Sequence, residues 1–170
     1  MGSITLMGGK RLEYDADGNL LLGRDPFVAP LETRLIEIPD AATYQMLAKN
    51  TGKTHVLPDL DADIIISMPP VQIGLEYTWV YGGFAVDTSD WLFDTGANAN
   101  FFLGGLVHLD SNAGAAGIEV VPIDGDGNSN SKLSILTPDV GTRIHMICDG
   151  THWILSGAAV SVVVPAFADQ

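Results

Sequence analysis

Basic residues are scarce in this chain. Eight Lys and Arg stand against 21 Asp and Glu in 170 residues, a formal net charge of −13. Binding to nucleic acid by counterion release needs clustered Lys and Arg, and here they are scattered. Nucleic acid and anionic membrane are therefore both disfavoured as partners. Charge of either sign is short as well, at 17% of residues against about 25% in an average soluble domain. Cysteine occurs once, as Cys148, which excludes an intrachain disulfide and any cysteine-rich zinc site. No run reaches the roughly 18 apolar residues of a membrane helix. Residues 1–6 hold no basic region leading into a long apolar core, so no secretory signal is expected.

What is abundant is apolar surface. Hydrophobic residues make up 46% of the chain and the mean hydropathy is +0.23. Such a surplus without a membrane segment is best explained by burial against other subunits, so a homo-oligomer is expected. The acidity suits a solvated outer surface, or docking onto a basic protein lattice.

Residues 1–34 differ from the rest. A turn at Asp17-Gly18-Asn19 separates short apolar pieces, and Pro26 and Pro30 break regular structure. The stretch reads as an extended N-terminal arm that becomes ordered against something else. Residues 35–170 read as one domain. It opens with a short strand, Leu35-Ile36-Glu37-Ile38, followed by the one short helix of the chain, from Pro39-Asp40 through about Lys49. Asp40 is the expected N-cap, Tyr44 and Leu47/Ala48 share a face, and Asn50-Thr51-Gly52 supplies the stop.

Beyond Gly52 the pattern is almost wholly β. Strands are expected at residues 53–57, 63–67, 75–81, 91–93, 106–109, 118–123, 133–137, 143–148, 152–155 and 160–164. Gly, Pro, Asn and Asp clusters punctuate them at spacings of roughly 8–12 residues, which means a sandwich or barrel. The expected fold is all-β, a jelly-roll-like β-sandwich. Its best-specified local element is a hairpin: two β-prone runs, Arg143–Cys148 and His152–Leu155, flank Asp149-Gly150, whose residues tolerate positive φ. Cys148 falls on the apolar side of its strand and reads as a small core residue.

Few residues invite chemistry. Asp94-Thr95-Gly96-Ala97 resembles the signature of retroviral-type aspartic proteases, in which two such aspartates share a proton across a dimer. The bracing aliphatic-aliphatic-Gly element is matched only loosely, by Trp153–Gly157, and a plain turn after Trp91-Leu92-Phe93 is preferred. Asp124, Asp126 and Asn128 alternate as oxygen donors do in calcium loops, but Ser129 and Ile135 occupy the places where a helical calcium loop needs Gly and Glu. A solvated hairpin loop is preferred. The four histidines, His55, His108, His145 and His152, have no zinc spacing. His145 and His152 flank the turn and are expected to pair across the hairpin. No catalytic residue, metal site or cofactor is assigned. The mid-chain aromatics Trp79, Tyr81, Phe84, Trp91, Phe93, Phe101 and Phe102 are either a sugar-stacking face, or a core or subunit seam. The second is preferred, with Trp91, Phe93, Phe101 and Phe102 as the subunit interface.

Several of these segments together resemble a pattern in tailed-bacteriophage proteins. They are Gly52-Lys53-Thr54 through Leu57-Pro58, Ile64–Met68-Pro69, Gly74-Leu75-Glu76-Tyr77-Thr78-Trp79, Thr137-Pro138-Asp139 and Cys148-Asp149-Gly150-Thr151-His152-Trp153. Over about residues 40–160 the chain looks like capsid decoration, cement or head-fibre proteins. The resemblance implies a trimeric, non-enzymatic virion protein on the capsid exterior. Its partner would be the major capsid protein, contacted by an arm carrying Leu12, Tyr14, Leu20, Leu21, Leu22 and Phe27. A fibre module binding host glycan, and a protease dimer using Asp94, are the alternatives.

Overall fold

A computed structural model describes the backbone of residues 3–5, 11–14, 20–22, 25–26, 34–112 and 120–169, with side chains over 34–112 and 123–169. The chain divides into two units between Thr33 and Arg34. In the first, β1 (Ser3–Thr5), β2 (Arg11–Tyr14), β3 (Leu20–Leu22) and β4 (Asp25–Pro26) form one antiparallel sheet in chain order. Leu12 pairs with Leu22 and Tyr14 with Leu20. The segment expected as an extended arm therefore pairs with itself. The side chains of Leu12, Tyr14, Leu20, Leu21 and Leu22, and all of Phe27, lie outside the described residues.

The second unit is a β-sandwich. Its larger sheet is built from β5 (Leu35–Glu37), β7 (Lys53–Leu57), β9 (Glu76–Tyr81), β11 (Phe102–Asp110), β12 (Val120–Asp126), β14 (Arg143–Cys148) and β15 (Trp153–Ser161). Its strand order is β12-β11-β15-β14-β9-β7-β5. The smaller sheet runs β16-β13-β10-β8-β6. These are β6 (Thr43–Gln45), β8 (Ile64–Ser67), β10 (Trp91–Asp94), β13 (Lys132–Ile135) and β16 (Ala166–Ala168). Both sheets are mixed: β5 with β7, β7 with β9, β11 with β15, β6 with β8 and β8 with β10 are parallel. The jelly-roll-like reading did not anticipate so much parallel pairing.

Strict alternation builds the core. Tyr77, Trp79 and Tyr81 point inward from β9, and Ile144, Met146 and Cys148 from β14. Facing them are Ile64 and Ile66 of β8, Trp91 and Phe93 of β10, and Leu133 and Ile135 of β13. Rings join the layers. Trp79 meets Phe93 edge-on at 5.1 Å between centroids, and Tyr81 meets Trp91 at 5.9 Å. Such pairs add about 0.5–1.5 kcal/mol each beyond the area they bury.

The helix expected over residues 40–49 is absent. Residues 43–45 are instead the edge strand β6, paired in parallel with β8 through Thr43–Ile65 and Tyr44–Ile66. A β-branched and an aromatic residue suit a strand, and pairing with β8 outweighs a weak helical propensity. The Asp40 carboxylate caps no helix; it accepts the Asp61 N–H at 3.3 Å. Only the stop signal survives, as a 3-10 turn at Ala48–Asn50.

The Asp149-Gly150 hairpin forms as β14 and β15, with Cys148 opposite Trp153. Positive φ falls on Gly150 alone, at +100°. The Asp149 N–H donates to the His152 carbonyl at 3.2 Å, so Gly150 and Thr151 are the central residues, as in a turn with Gly first. The Asp149 carboxylate accepts the Thr151 and His152 N–H groups at 2.7 and 2.6 Å. These bonds hold its pKa below the usual aspartate value, the His152 N–H contributing most.

A second glycine is fixed by its neighbours. Gly157 lies opposite Ile144 in the middle of the larger sheet with φ +128°, and a Cβ there would sit 2.3 Å from the Arg143 carbonyl oxygen. Gly157→Ala is expected to lower stability by about 2–4 kcal/mol in urea denaturation, since strain and backbone clash add. Ser156→Ala, at the exposed neighbour, should stay within about 0.5 kcal/mol. Equal effects at the two positions would contradict this account of the strand.

Candidate interaction surface

Six of the seven mid-chain aromatics are turned away from solvent. Trp79, Trp91 and Phe102 are at 0% exposure, Phe93 is at 1%, Tyr81 is buried and Phe101 partly buried. Trp91, Phe93 and Phe102 thus belong to the core of one chain and have no surface left to offer a second. That corrects their assignment to a subunit interface. Phe84 alone is exposed, at 95%.

Apolar surface appears elsewhere, on the outer face of the larger sheet. Because Phe102, Leu106, Ile144, Met146, Trp153 and Leu155 point inward, the residues between them point out. Register places Leu103 of β11 beside Ile154 of β15, and Ile154 beside Ile147 of β14. These three neighbours are 38%, 39% and 41% exposed. Two residues along the strands, Ser156, His145, Thr78 and Thr54 form the next row. The third row is Val107, Ala158, Arg143, Val80 and Val56. Over the five middle strands only Glu76 and Arg143 carry full charges on this side. Acidic side chains stand at its borders, Asp124 and Asp126 on β12 and Glu37 on β5.

The expected pairing of the two hairpin histidines does not form. His145 does not face His152. Its Nδ1 lies 3.0 Å from Thr78 Oγ1 and its Nε2 3.5 Å from Glu76 Oε1, so it belongs with β9 in the centre of the outer face. His152 pairs with Asp149 at 3.4 Å. His108 is buried, with Nε2 3.1 Å from the Ser161 carbonyl. Cys148 is buried at 1% exposure, as a core residue should be.

The remaining motifs resolve into turns. Asp94 ends β10, and its Oδ1 accepts the Gly96 N–H at 2.7 Å while Thr95 Oγ1 donates to the Ala97 carbonyl at 3.1 Å. It points to the outer side of the smaller sheet, opposite Lys132, at a shallow dent of about 220 Å3 with Ile65, Leu92 and Ser134. Asp126 closes its own loop by accepting the Asn128 and Ser129 N–H groups at 2.8 and 3.1 Å and the Asn130 amide at 2.8 Å. These bonds, the Asn128 N–H foremost, hold its pKa below the ordinary value. Among the described residues no three His, Cys, Asp or Glu side chains are placed to hold a metal ion.

Acidic loops gather at one end of the sandwich. Asp87, at 5% exposure, accepts the Leu60 and Ser89 N–H groups at 2.9 Å each. Asp90 accepts from Thr137, and burial, then the charges of Asp63 and Asp87, push its pKa up. The Tyr81 hydroxyl lies between the Asp59 carboxylate and the Ala85 carbonyl.

His55 is the one buried histidine packed wholly among rings, 5.8 Å from both Tyr77 and Trp79. Neither ring nitrogen has a hydrogen-bond partner of good geometry. Burial holds its pKa below the ordinary histidine value, opposed by the Thr78 backbone and reinforced by the Lys53 charge. The unfolded chain therefore takes up this proton first. The contribution of His55 to stability is intact above about pH 6.5 and is lost as pH falls from there through the lowered folded value. Urea midpoints measured against pH should fall more steeply below about pH 6.5 in the wild type than in His55→Leu; parallel curves would contradict a neutral buried His55.

No protein-family model matches the chain, and no curated protein is significantly similar to it.

Proposed function

We propose that this chain is a structural virion subunit, a capsid decoration or cement protein that stabilises a tailed-phage head by bridging capsid subunits. The observation that carries the reading is the outward apolar row of Leu103, Ile154 and Ile147 on a chain of net charge −13. A non-catalytic assembly protein needs a surface that associates and a surface that stays solvated. The outer sheet face suits the first task and the acidic loops the second. The phage-like segments around Lys53–Pro58, Gly74–Trp79 and Cys148–Trp153 lie on β7, β9 and the β14–β15 hairpin, which are contiguous strands of the sheet that presents this face.

On this reading the partners are further copies, as a trimer by the resemblance, and the major capsid protein on the capsid exterior. The capsid contact belongs to residues 1–34, including Leu12, Tyr14, Leu20, Leu21, Leu22 and Phe27. Nucleic acid, membrane and cofactors have no part in the mechanism. Binding alone must resist the pressure inside the head, which calls for interfaces of about 2,000 Å2 or more.

Mass spectrometry of purified virions whose genome encodes the chain should find it at a stoichiometry close to that of the major capsid protein. Virions lacking the chain would overturn the reading. A chain lacking residues 1–34 should no longer occupy particles, and undiminished occupancy would remove the capsid-binding role of that segment.

A further inference from the structure

We propose that the outer face of the larger sheet is an interface between copies of this chain. The proposal rests on the reading of the chain as an assembling subunit and names the partner of that surface. It moves the contact away from Trp91, Phe93 and Phe102, which the core consumes.

Charge selects the occupant. A basic partner would be drawn to the acidic loops, where Asp59, Asp61, Asp63, Asp87, Asp90 and Asp139 lie, and would gain nothing special on a face whose middle holds one Glu76 and one Arg143. A second copy faces the opposite situation. It carries the same net charge of −13, so contact through the acidic surfaces sets like charges against each other. The middle of this sheet face sums to zero and can meet itself without that repulsion. Two apolar rows, Leu103, Ile154 and Ile147 on one side and Val107, Ala158, Val80 and Val56 on the other, flank an uncharged polar row of Ser156, His145 and Thr78, and the acidic borders stay open to water.

The five middle strands, about 4.8 Å apart and with a useful length of roughly six residues at about 3.3 Å each, give a face of roughly 24 by 20 Å. Two such faces bury about 1,000 Å2, the size a specific interface has to reach.

The test uses the full chain. Light scattering after size exclusion, at micromolar concentration, should give the wild type a mass of two or more chains. Ile154→Glu should weaken association about tenfold or more while keeping its circular dichroism and melting curve. Ile65→Glu, at a position 41% exposed on the other sheet, should leave the mass unchanged. A photo-crosslinker at position 147 in mixed heavy- and light-isotope protein tests the contact without a charge substitution. Heavy-to-light links into β9, β14 or β15 support the proposal. A single-chain wild type, an Ile154→Glu mass equal to wild type, or links only within one copy to residues 1–33 would each overturn it. The two readings separate cleanly. A chain that associates through this face but is absent from virions removes the virion reading alone, and a monomer abundant in virions removes the interface alone.

Discussion

The sandwich depends on the rings that β9 sends toward β10. Trp79 on Phe93 and Tyr81 on Trp91 join the larger sheet to the smaller one at its centre, Phe102 on Phe167 joins them at β16, and Tyr77 extends the stack sideways to Trp153. A dry aromatic layer fixes the inward parity of β9, and register then fixes that of β7, β14 and β15. One residue of slip in any of them would turn its core set out to water. Tyr77 shows how dry the layer is. Burial pushes its phenol up to about 12, the neighbouring Cys148 adding to the shift, while the hydroxyl reaches the Leu47 carbonyl at 3.2 Å.

Once the inner parity is set, the outer face follows without further choice. Leu103, Val107, Ile147 and Ile154 are outside because Phe102, Leu106, Met146 and Trp153 are inside. In β11 and β15 both parities are apolar, as in strands covered on two sides. Within residues 34–169 the described residues cover one side only. That imbalance motivates both the assembly reading and the choice of interface, and it matches a composition rich in apolar residues and poor in charge.

The sequence made some of this legible. The β class, the hairpin at Asp149-Gly150 and the core position of Cys148 all rest on local signals: alternation, turn residues and strand edges. What it hid depended on partners distant in sequence. Residues 43–45 carry helix-like punctuation but lie on β8, and nothing local announces that neighbour. Trp91, Phe93 and Phe102 looked like a seam because aromatics suit interfaces and cores equally, and only the opposing Tyr81, Trp79 and Phe167 rings decide. The outer face had a signal that could have been used. Runs such as 102–109 and 153–160 are apolar at both parities, which points to a second covering layer. His145 was misplaced for a related reason, since its partners Thr78 and Glu76 come from β9 and not from its own hairpin.

Sedimentation equilibrium of the full chain over a range of concentration and salt tests the central claim most directly. The middle of the face is neutral, with apolar rows beside its polar one, while its borders are acidic on both copies, so salt should screen repulsion and leave the attraction intact. The weight-average mass is therefore predicted to rise with concentration and to hold or increase as salt is raised. A single-chain mass at every concentration, or association that dissolves with added salt, would contradict it.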